Sequence, residues 1–289
     1  MTLIVRTAML GTLIALIGTI ASADWLRLGS WNIEHLGSNE ESTVPIALAE
    51  AIHLTGIDIL ALQEIYDNDE RADTKANTQL DAAFAILNEI EGNNWTYEML
   101  PNKSRRDTSQ LVTVAWNQAR VAKVGDAFRI PIEREGHEWD RHPHALKFSA
   151  GTGKTDIVLI ALHMKADYRG DFSAQRGREA QLLVDQLDIV NNHFGGDNDI
   201  VLIGDLNCDT ADEPALLVFA GAGFDDLNKT DEPTHIRWGA LDRVLVPAQP
   251  EFKYTRQYVL TAADSEAFDL YLSDHQIILA PIKVTTDDD

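Results

Sequence analysis

The hydrophobic pattern along the chain switches between two periods. Residues 25–33 (WLRLGSWNI) alternate apolar and polar positions, as a half-buried strand does. IDILALQEI (57–65), DIVLIALHM (156–164) and DIVLIGDLN (199–207) are nearly continuous apolar runs, which predict buried strands. QLVTVAWN (110–117), ALKFSA (145–150), ALDRVLVP (240–247) and HQIILAPIKV (275–284) complete the predicted strand set. Helical segments lie between them. TVPIALAEAIHL (43–54) predicts a helix capped by Ser42 or Thr43, with Pro45 in its first turn. TQLDAAFAILNEI (78–90) places Leu80, Phe84, Leu87 and Ile90 on one face and stops before Gly92-Asn93. Residues 174–194 predict one long helix. Asp209 or Thr210 is the expected cap of a helix through ADEPALLVF. Helices alternate with strands, but hairpin-like pairs occur mid-chain. The pattern therefore predicts an α/β protein with mixed sheets rather than a purely parallel one.

The first residues fit a different purpose. Residues 1–23 hold one early cation, Arg6, then an apolar run, and end in Ala21-Ser22-Ala23. This is the pattern of a cleaved signal peptide, so a secreted or periplasmic protein beginning at Asp24 is expected. Residues 24–289 then form a single expected domain, with no second apolar segment to anchor it in a membrane. Cys208, the one cysteine, cannot form an internal disulfide, so stability must come from the core and from any bound ion. The net charge of -22 argues against a broad basic surface for nucleic acid. It leaves room for a phosphate-cleaving site, where a divalent cation and a few arginines reverse the sign locally.

The chemistry-bearing residues cluster at strand ends. Asn32, Glu64, His163 and Asp205 each lie at the C-terminal end of an apolar run. Asn207 follows Asp205 by two residues, a spacing that in extended chain aims both the same way. Asp242 opens a strand, and Asp274 and His275 precede the last one. Any single member has an ordinary explanation as a turn or cap residue. Together they describe oxygen ligands for a hard cation beside acid–base groups. Cys208 falls in the opposite register and is a poor ligand for Mg²⁺, so it is expected to be a packing residue.

WNIE, LALQE, LIALHMKAD, LIGDLNCD, LDRVLV and LSDHQI, in this order, resemble the endonuclease/exonuclease/phosphatase superfamily, nearest to secreted deoxyribonuclease I-like nucleases. The resemblance implies a four-layer α-β-β-α sandwich of two mixed sheets. It implies Glu64 and Asp274 as ligands of Mg²⁺ (Ca²⁺ or Mn²⁺ as substitutes), with Asn32 beside them. Asp205 matches the group that orients the attacking water, and His163 and His275 match two active-site histidines. Asp242 matches the carboxylate that fixes His275 in one tautomer. Asn207, Arg141 and Thr234 match residues on the substrate side.

One position departs from that pattern. A glutamate partners the first histidine in the deoxyribonuclease I pattern, and Gln110 stands there, with Thr108 in place of a tyrosine. An amide orients His163 without stabilising its cation, so a less basic His163 is expected. The implied activity is metal-dependent phosphoester hydrolysis by a monomer, with DNA the favoured substrate and RNA next. Lys103, Arg105 and Arg106 precede a strand, and Lys165 and Arg169 follow His163, as local basic loops. A sphingomyelinase-like enzyme of small or lipid phosphoesters shares the core, but no aromatic hairpin that would grip a membrane is evident; Trp139 and Trp238 are isolated. A non-catalytic binding module is disfavoured by the complete residue set.

Overall fold

The computed structural model describes residues 24–38, 43–69, 75–92, 94–102, 108–132 and 139–287. The segment read as a signal peptide, Ser42, and the basic cluster Lys103, Arg105 and Arg106 lie outside them.

Two six-stranded sheets are built from the described strands. In spatial order the first is β11 (Tyr258–Leu260), β12 (Ile277–Lys283), β1 (Trp25–Asn32), β2 (Ile59–Ile65), β4 (Leu111–Asn117) and β3 (Trp95–Leu100). The second is β5 (Ala122–Arg129), β6 (His144–Ser149), β7 (Asp156–His163), β8 (Ile200–Asp205), β10 (Asp242–Pro247) and β9 (Phe224–Asp226). Each sheet has the same middle. A parallel pair, β1–β2 or β7–β8, is flanked by antiparallel strands. The C-terminal ends of the parallel strands therefore share one edge with the N-terminal ends of β4, β6, β10 and β12.

The apolar runs are continuous because both faces of the central strands are buried. In β2, Ile59 and Ala61 face the other sheet, while Leu60 and Leu62 face helices. In β7, Ile157 and Leu159 meet the opposite sheet, and Val158 and Ile160 meet helices. The inter-sheet core packs Leu28, Ile59 and Val114 against Phe148, Leu159, Ile203 and Val244. α1 (Pro45–Thr55) and α2 (Thr78–Glu91) cover the first sheet through Leu48, Ile52, Leu80, Phe84 and Leu87. α3 (Ser173–Val184), α4 (Leu187–His193) and α5 (Pro214–Gly221) cover the second through Leu183, Val190 and Phe219. The short α6 (Ser265–Tyr271) adds Phe268 to the first outer core. The result is the expected α-β-β-α sandwich.

Local departures have physical causes. α1 starts after Val44 with no side-chain cap, because the Thr43 hydroxyl is spent on the Leu272 carbonyl, 3.2 Å away. α2 is capped by Asn77, whose Oδ1 accepts from the amides of Gln79 and Leu80, a contribution of about 1 kcal/mol. Ile90 is 47 % exposed rather than part of the buried face. The long helix predicted over 174–194 is two helices. Its chain tightens at Asp185-Gln186, where the Gln186 amide bonds to Leu183, three residues back. α5 begins after Glu213, and neither Asp209 nor Thr210 caps it.

Candidate active site

The second sheet sets three site residues in a row. His163 pairs in register with Asp205, and Asp205 pairs with Asp242, so the three stand side by side where β7 and β8 end and β10 begins. Gly204 permits this. Its φ is +149°, and any Cβ there would collide with the Leu162 carbonyl of the neighbouring strand. The glycine of LIGDLN is thus needed for β8 to run alongside β7 up to Asp205.

The first sheet brings Asn32 and Glu64. Asn32 closes β1, and Glu64 lies in β2 at a break in the β2–β4 register between Leu62 and Ile65. Glu64 has φ +63°, so the irregularity re-aims its side chain from the strand's normal alternation. Its Oε1 takes the Asn32 amide at 3.3 Å and lies 3.8 Å from His163 Nε2. The Asn32 amide also donates to Asp205 Oδ2 at 3.0 Å. One side chain of β1 thereby joins the two sheets across the site. Asp205 Oδ2 is 3.7 Å from His163 Nε2 and 3.9 Å from His275 Nε2, which makes it the centre of the cluster.

Asn207 arrives by a turn rather than by strand alternation. β8 ends at Asp205, and Asn207 is left-handed with φ +53°. Its backbone amide donates to Asp205 Oδ1 at 2.9 Å, and its side-chain nitrogen donates to the Met164 carbonyl at 3.1 Å. Cys208 is fully buried in the outer core, its thiol on the Leu206 carbonyl.

The chain before β12 completes the site. His275 Nδ1 lies 2.8 Å from Asp242 Oδ2, and that oxygen also accepts from the Thr234 hydroxyl at 2.6 Å. Thr234 is fully buried, and its oxygen also accepts the Asp242 amide. The residue expected on the substrate side is therefore a brace for Asp242, its hydroxyl consumed on both sides. Gln110 likewise differs from expectation. It sits before β4 with φ +50° and makes no hydrogen bond to His163. Arg141 takes that place, with Nε 3.2 Å from His163 Nδ1 and Nη2 2.6 Å from Nε2. A neutral imidazole has one acceptor nitrogen, so one of these contacts is a hydrogen bond and the other a close approach along the ring.

A match to the model of the Endonuclease/Exonuclease/phosphatase family spans residues 29–275, which includes every residue of this cluster. The chain belongs to that family. It is 31% identical over 211 residues to a deoxyribonuclease of Thioalkalivibrio sp., covering 72% of this chain and 53% of that one. It is 24% identical over 192 residues to mouse deoxyribonuclease-1-like 2, covering 66% and 62%. The chain thus spans about half to three-fifths of the length of these relatives. An endonuclease/exonuclease/phosphatase family protein from Bacteroides thetaiotaomicron superposes with a TM-score of 0.65 at 15% identity, over 92% of this chain and 99% of that one.

Enzymes of the family depend on a divalent metal, and the residues here fit one. Asn32 Oδ1 is buried and has no hydrogen-bond partner, as expected of an oxygen kept for a cation or substrate. Glu64 and Asp274 add carboxylates, and the resulting all-oxygen set suits Mg²⁺, Mn²⁺ or Ca²⁺. Asp274 Oδ2 is taken by His235 Nε2 at 3.2 Å and Arg237 Nη1 at 3.6 Å, and its Oδ1 lies 4.0 Å from His275 Nε2. Glu64 belongs to none of the close groups of three carboxylates or histidines among the described residues. These are Asp205–Asp242–His275, His235–Asp274–His275 and Glu34–Asp269–Asp274.

Burial and charge set the protonation of this family site. Burial holds His163 well below its ordinary 6.5, and Arg141, His275 and His35 add to the effect. Burial would also lower His275, but Asp242, then Asp205 and Asp274, carry it up to about 10. Burial pushes Asp205 up to about 6 against the opposing pull of His275. Burial would raise Asp274, yet its bond to His235, helped by His275 and Arg237, holds it below 3.8.

Two histidines at the site escaped the sequence reading. His35 Nδ1 lies 3.0 Å from Glu64 Oε2, in a left-handed turn with φ +59°. His235 is buried, bridges to His275 along the backbone, and holds Asp274. Each directly follows a residue already singled out, Glu34 of WNIE or Thr234, and that adjacency was the available signal.

Proposed function

We propose that this family member is a metal-dependent phosphodiesterase acting on nucleic acid as an endonuclease, with DNA favoured over RNA and Mg²⁺ as the working ion. The observation that carries the proposal is the contact between sheets. Asp205 Oδ2 meets Asn32 from one sheet and stands within 4 Å of both histidines. The proposed metal-binding edge and acid–base edge thus converge on a single centre at Asp205.

Asn32, Glu64 and Asp274 would hold the cation, which when bound withdraws charge from the phosphoryl oxygens and the leaving group. Asp205 is the base. With its carboxyl near 6, it is ionised at neutral pH yet basic enough to take a proton from water. His275, kept cationic by Asp242, donates from Nε2 toward the phosphoryl group and stabilises the charge that develops there. His163 is neutral and fixed by Arg141, so its role is a hydrogen bond to a phosphoryl oxygen. Arg141 adds positive charge at the same place, and the Asn207 amide group helps position the substrate. Most of the acceleration in such a reaction comes from this alignment and fixed charge.

The test is a substrate panel: supercoiled plasmid, RNA, sphingomyelin and an aryl phosphodiester, each with Mg²⁺, Mn²⁺, Ca²⁺ or EDTA. EDTA-sensitive nicking of the plasmid is the expected result. Turnover of sphingomyelin or the aryl ester alone would replace the nuclease assignment with the smaller-substrate one. Export to the periplasm or medium rests on residues 1–23, and N-terminal sequencing of protein recovered there should begin at Asp24. No helix among the described residues is long and apolar enough to cross a membrane.

A further inference from the structure

The two most exposed large apolar side chains among the described residues are Tyr168 and Trp238, 72% and 68% exposed. Both stand at the catalytic end. Tyr168 lies in the loop that leaves β7 after His163, and Trp238 in the loop that enters β10 at Asp242. Tyr254, the next most exposed aromatic at 62%, follows β10 and so lies at the opposite end of the sheet. Scattered surface aromatics are ordinary. A pair on two loops that flank one hydrolytic centre calls for a ligand.

Each ring is backed on one side. Trp238 stacks on His235 with ring centroids 4.4 Å apart and planes 26° apart. His235 Nδ1 accepts the backbone amides of Arg237 and Trp238 at 3.0 and 3.3 Å, which fixes the loop under the indole. The His235 ring meets the His275 ring at 4.7 Å. The indole is therefore two ring contacts from the catalytic histidine. On the other rim, the Arg169 guanidinium covers Tyr168 at 4.8 Å, in a left-handed backbone with φ +63°.

A rigid, half-covered aromatic face recognises another planar ring or a quaternary ammonium. The neighbours decide between them. Arg169 covers Tyr168 and Arg237, itself paired with Asp269 and Asp274, adjoins Trp238; a cation beside each ring disfavours a choline head, and Arg169 is placed to attract a phosphodiester backbone. Aromatic faces interleaved with cations are how proteins hold single-stranded nucleic acid. We propose that Trp238 and Tyr168 are stacking platforms for the bases flanking the scissile phosphate, so that unpaired strands are taken in preference to intact duplex. In a duplex both faces of each base are already stacked, and freeing one is costly. This rests on the nuclease reading above.

The test compares a single-stranded 20-mer, its perfect duplex, and a 20-mer of abasic sugars. Wild type should favour the single strand. W238A and Y168A should each lower kcat/KM on it by roughly 5- to 150-fold, mostly through KM, as expected for one lost base stack. W238F, which keeps a ring, should recover most of that loss, and the abasic strand should be cut alike by all. Trp238 is also the only exposed one of six tryptophans, so single strand added in EDTA should quench its emission. The proposal falls if W238A loses as much on the abasic strand, if duplex is preferred, or if no quenching occurs; in each case the nuclease reading survives. If wild type hydrolyses an aryl phosphodiester but no strand at all, both readings fall together.

Discussion

Replacing Asp242 with asparagine tests how a buried carboxylate sets the charge of His275. Asp242 is fully buried, with its Oδ2 2.8 Å from His275 Nδ1 and 2.6 Å from the Thr234 hydroxyl. Asparagine matches its shape and keeps an acceptor but removes the charge. In the wild type, burial pulls His275 down, and Asp242 more than offsets it, leaving the ring near 10. The gap between 6.5 and about 10 corresponds to roughly 5 kcal/mol in favour of the imidazolium. That figure is a net one: burial opposes the charge, and Asp242, with smaller help from Asp205 and Asp274, supplies more than the net to overcome it. Without Asp242, burial dominates, and the ring should be neutral at pH 7 to 8.

The assay is kcat/KM against pH on the substrate that the panel identifies. Wild type should lose activity below about pH 6, where Asp205 protonates, and again near pH 10, where His275 loses its proton. In Asp242→Asn the alkaline limb should move below pH 8, with a loss at pH 8 of about 10²- to 10⁴-fold. The pair also has a stability signature. His275 has a raised folded value, so its contribution is fully present below pH 6.5 and is lost as pH rises toward 10. The stability difference between wild type and variant should therefore shrink from pH 6 to pH 10 in urea melts. An Asp242→Asn variant that keeps its alkaline limb near pH 10 would refute the electrostatic assignment, whatever its absolute rate.

Three further outcomes follow from other parts of the structure. Arg176 is fully buried and holds Asp167, Glu213 and the Lys165 carbonyl at 2.7 to 3.1 Å, so Arg176→Ala should cost about 3 kcal/mol in chemical denaturation by leaving Glu213 without its cation. Burial drives His144 down to about 3, so between pH 6.5 and 3 the unfolded chain binds a proton that the fold refuses, and stability falls as pH is lowered. His144→Gln should flatten that slope by up to about 1.4 kcal/mol per pH unit, read from urea melts at pH 7 and 5. Glu64→Gln should abolish calorimetric binding of Mg²⁺ or Mn²⁺ to the protein without substrate, and His35→Ala, which removes the partner 3.0 Å from Glu64 Oε2, should weaken it by about 10-fold.

The sequence revealed the strands because their burial on both faces leaves long apolar runs, as in β2 and β7. Polar residues at the ends of such runs are conspicuous, which is why Asn32, Glu64, His163, Asp205, Asp242, Asp274 and His275 were all legible. β3, β5, β9 and β11 were missed, and they are the edge strands of the two sheets; β5, Ala122–Arg129, has most side chains partly or fully in solvent and no apolar run to betray it.

What pairs with what was harder, because pairing depends on register and turn geometry. Asp205 and Asn207 do share the site, but through a left-handed turn closed by the Asn207 amide, not through the alternation that the two-residue spacing suggested. Glu64 points inward because β2 loses register with β4, and a one-residue irregularity leaves no hydrophobic trace. Gln110 and Arg141 both precede strands whose starts lie at the catalytic edge, so their positions along the chain could not say which would reach His163. The contact that matters most links Asn32 to Asp205, on strands of different sheets and 173 residues apart. Sequence order fixes neither that pairing nor its distance. The packing of Leu28 and Ile59 against Leu159 and Ile203 fixes both, because it sets how closely the two sheets approach. The inter-sheet core thus helps set the site's geometry, and a cavity there should alter the Asn32–Asp205 contact as well as lower stability.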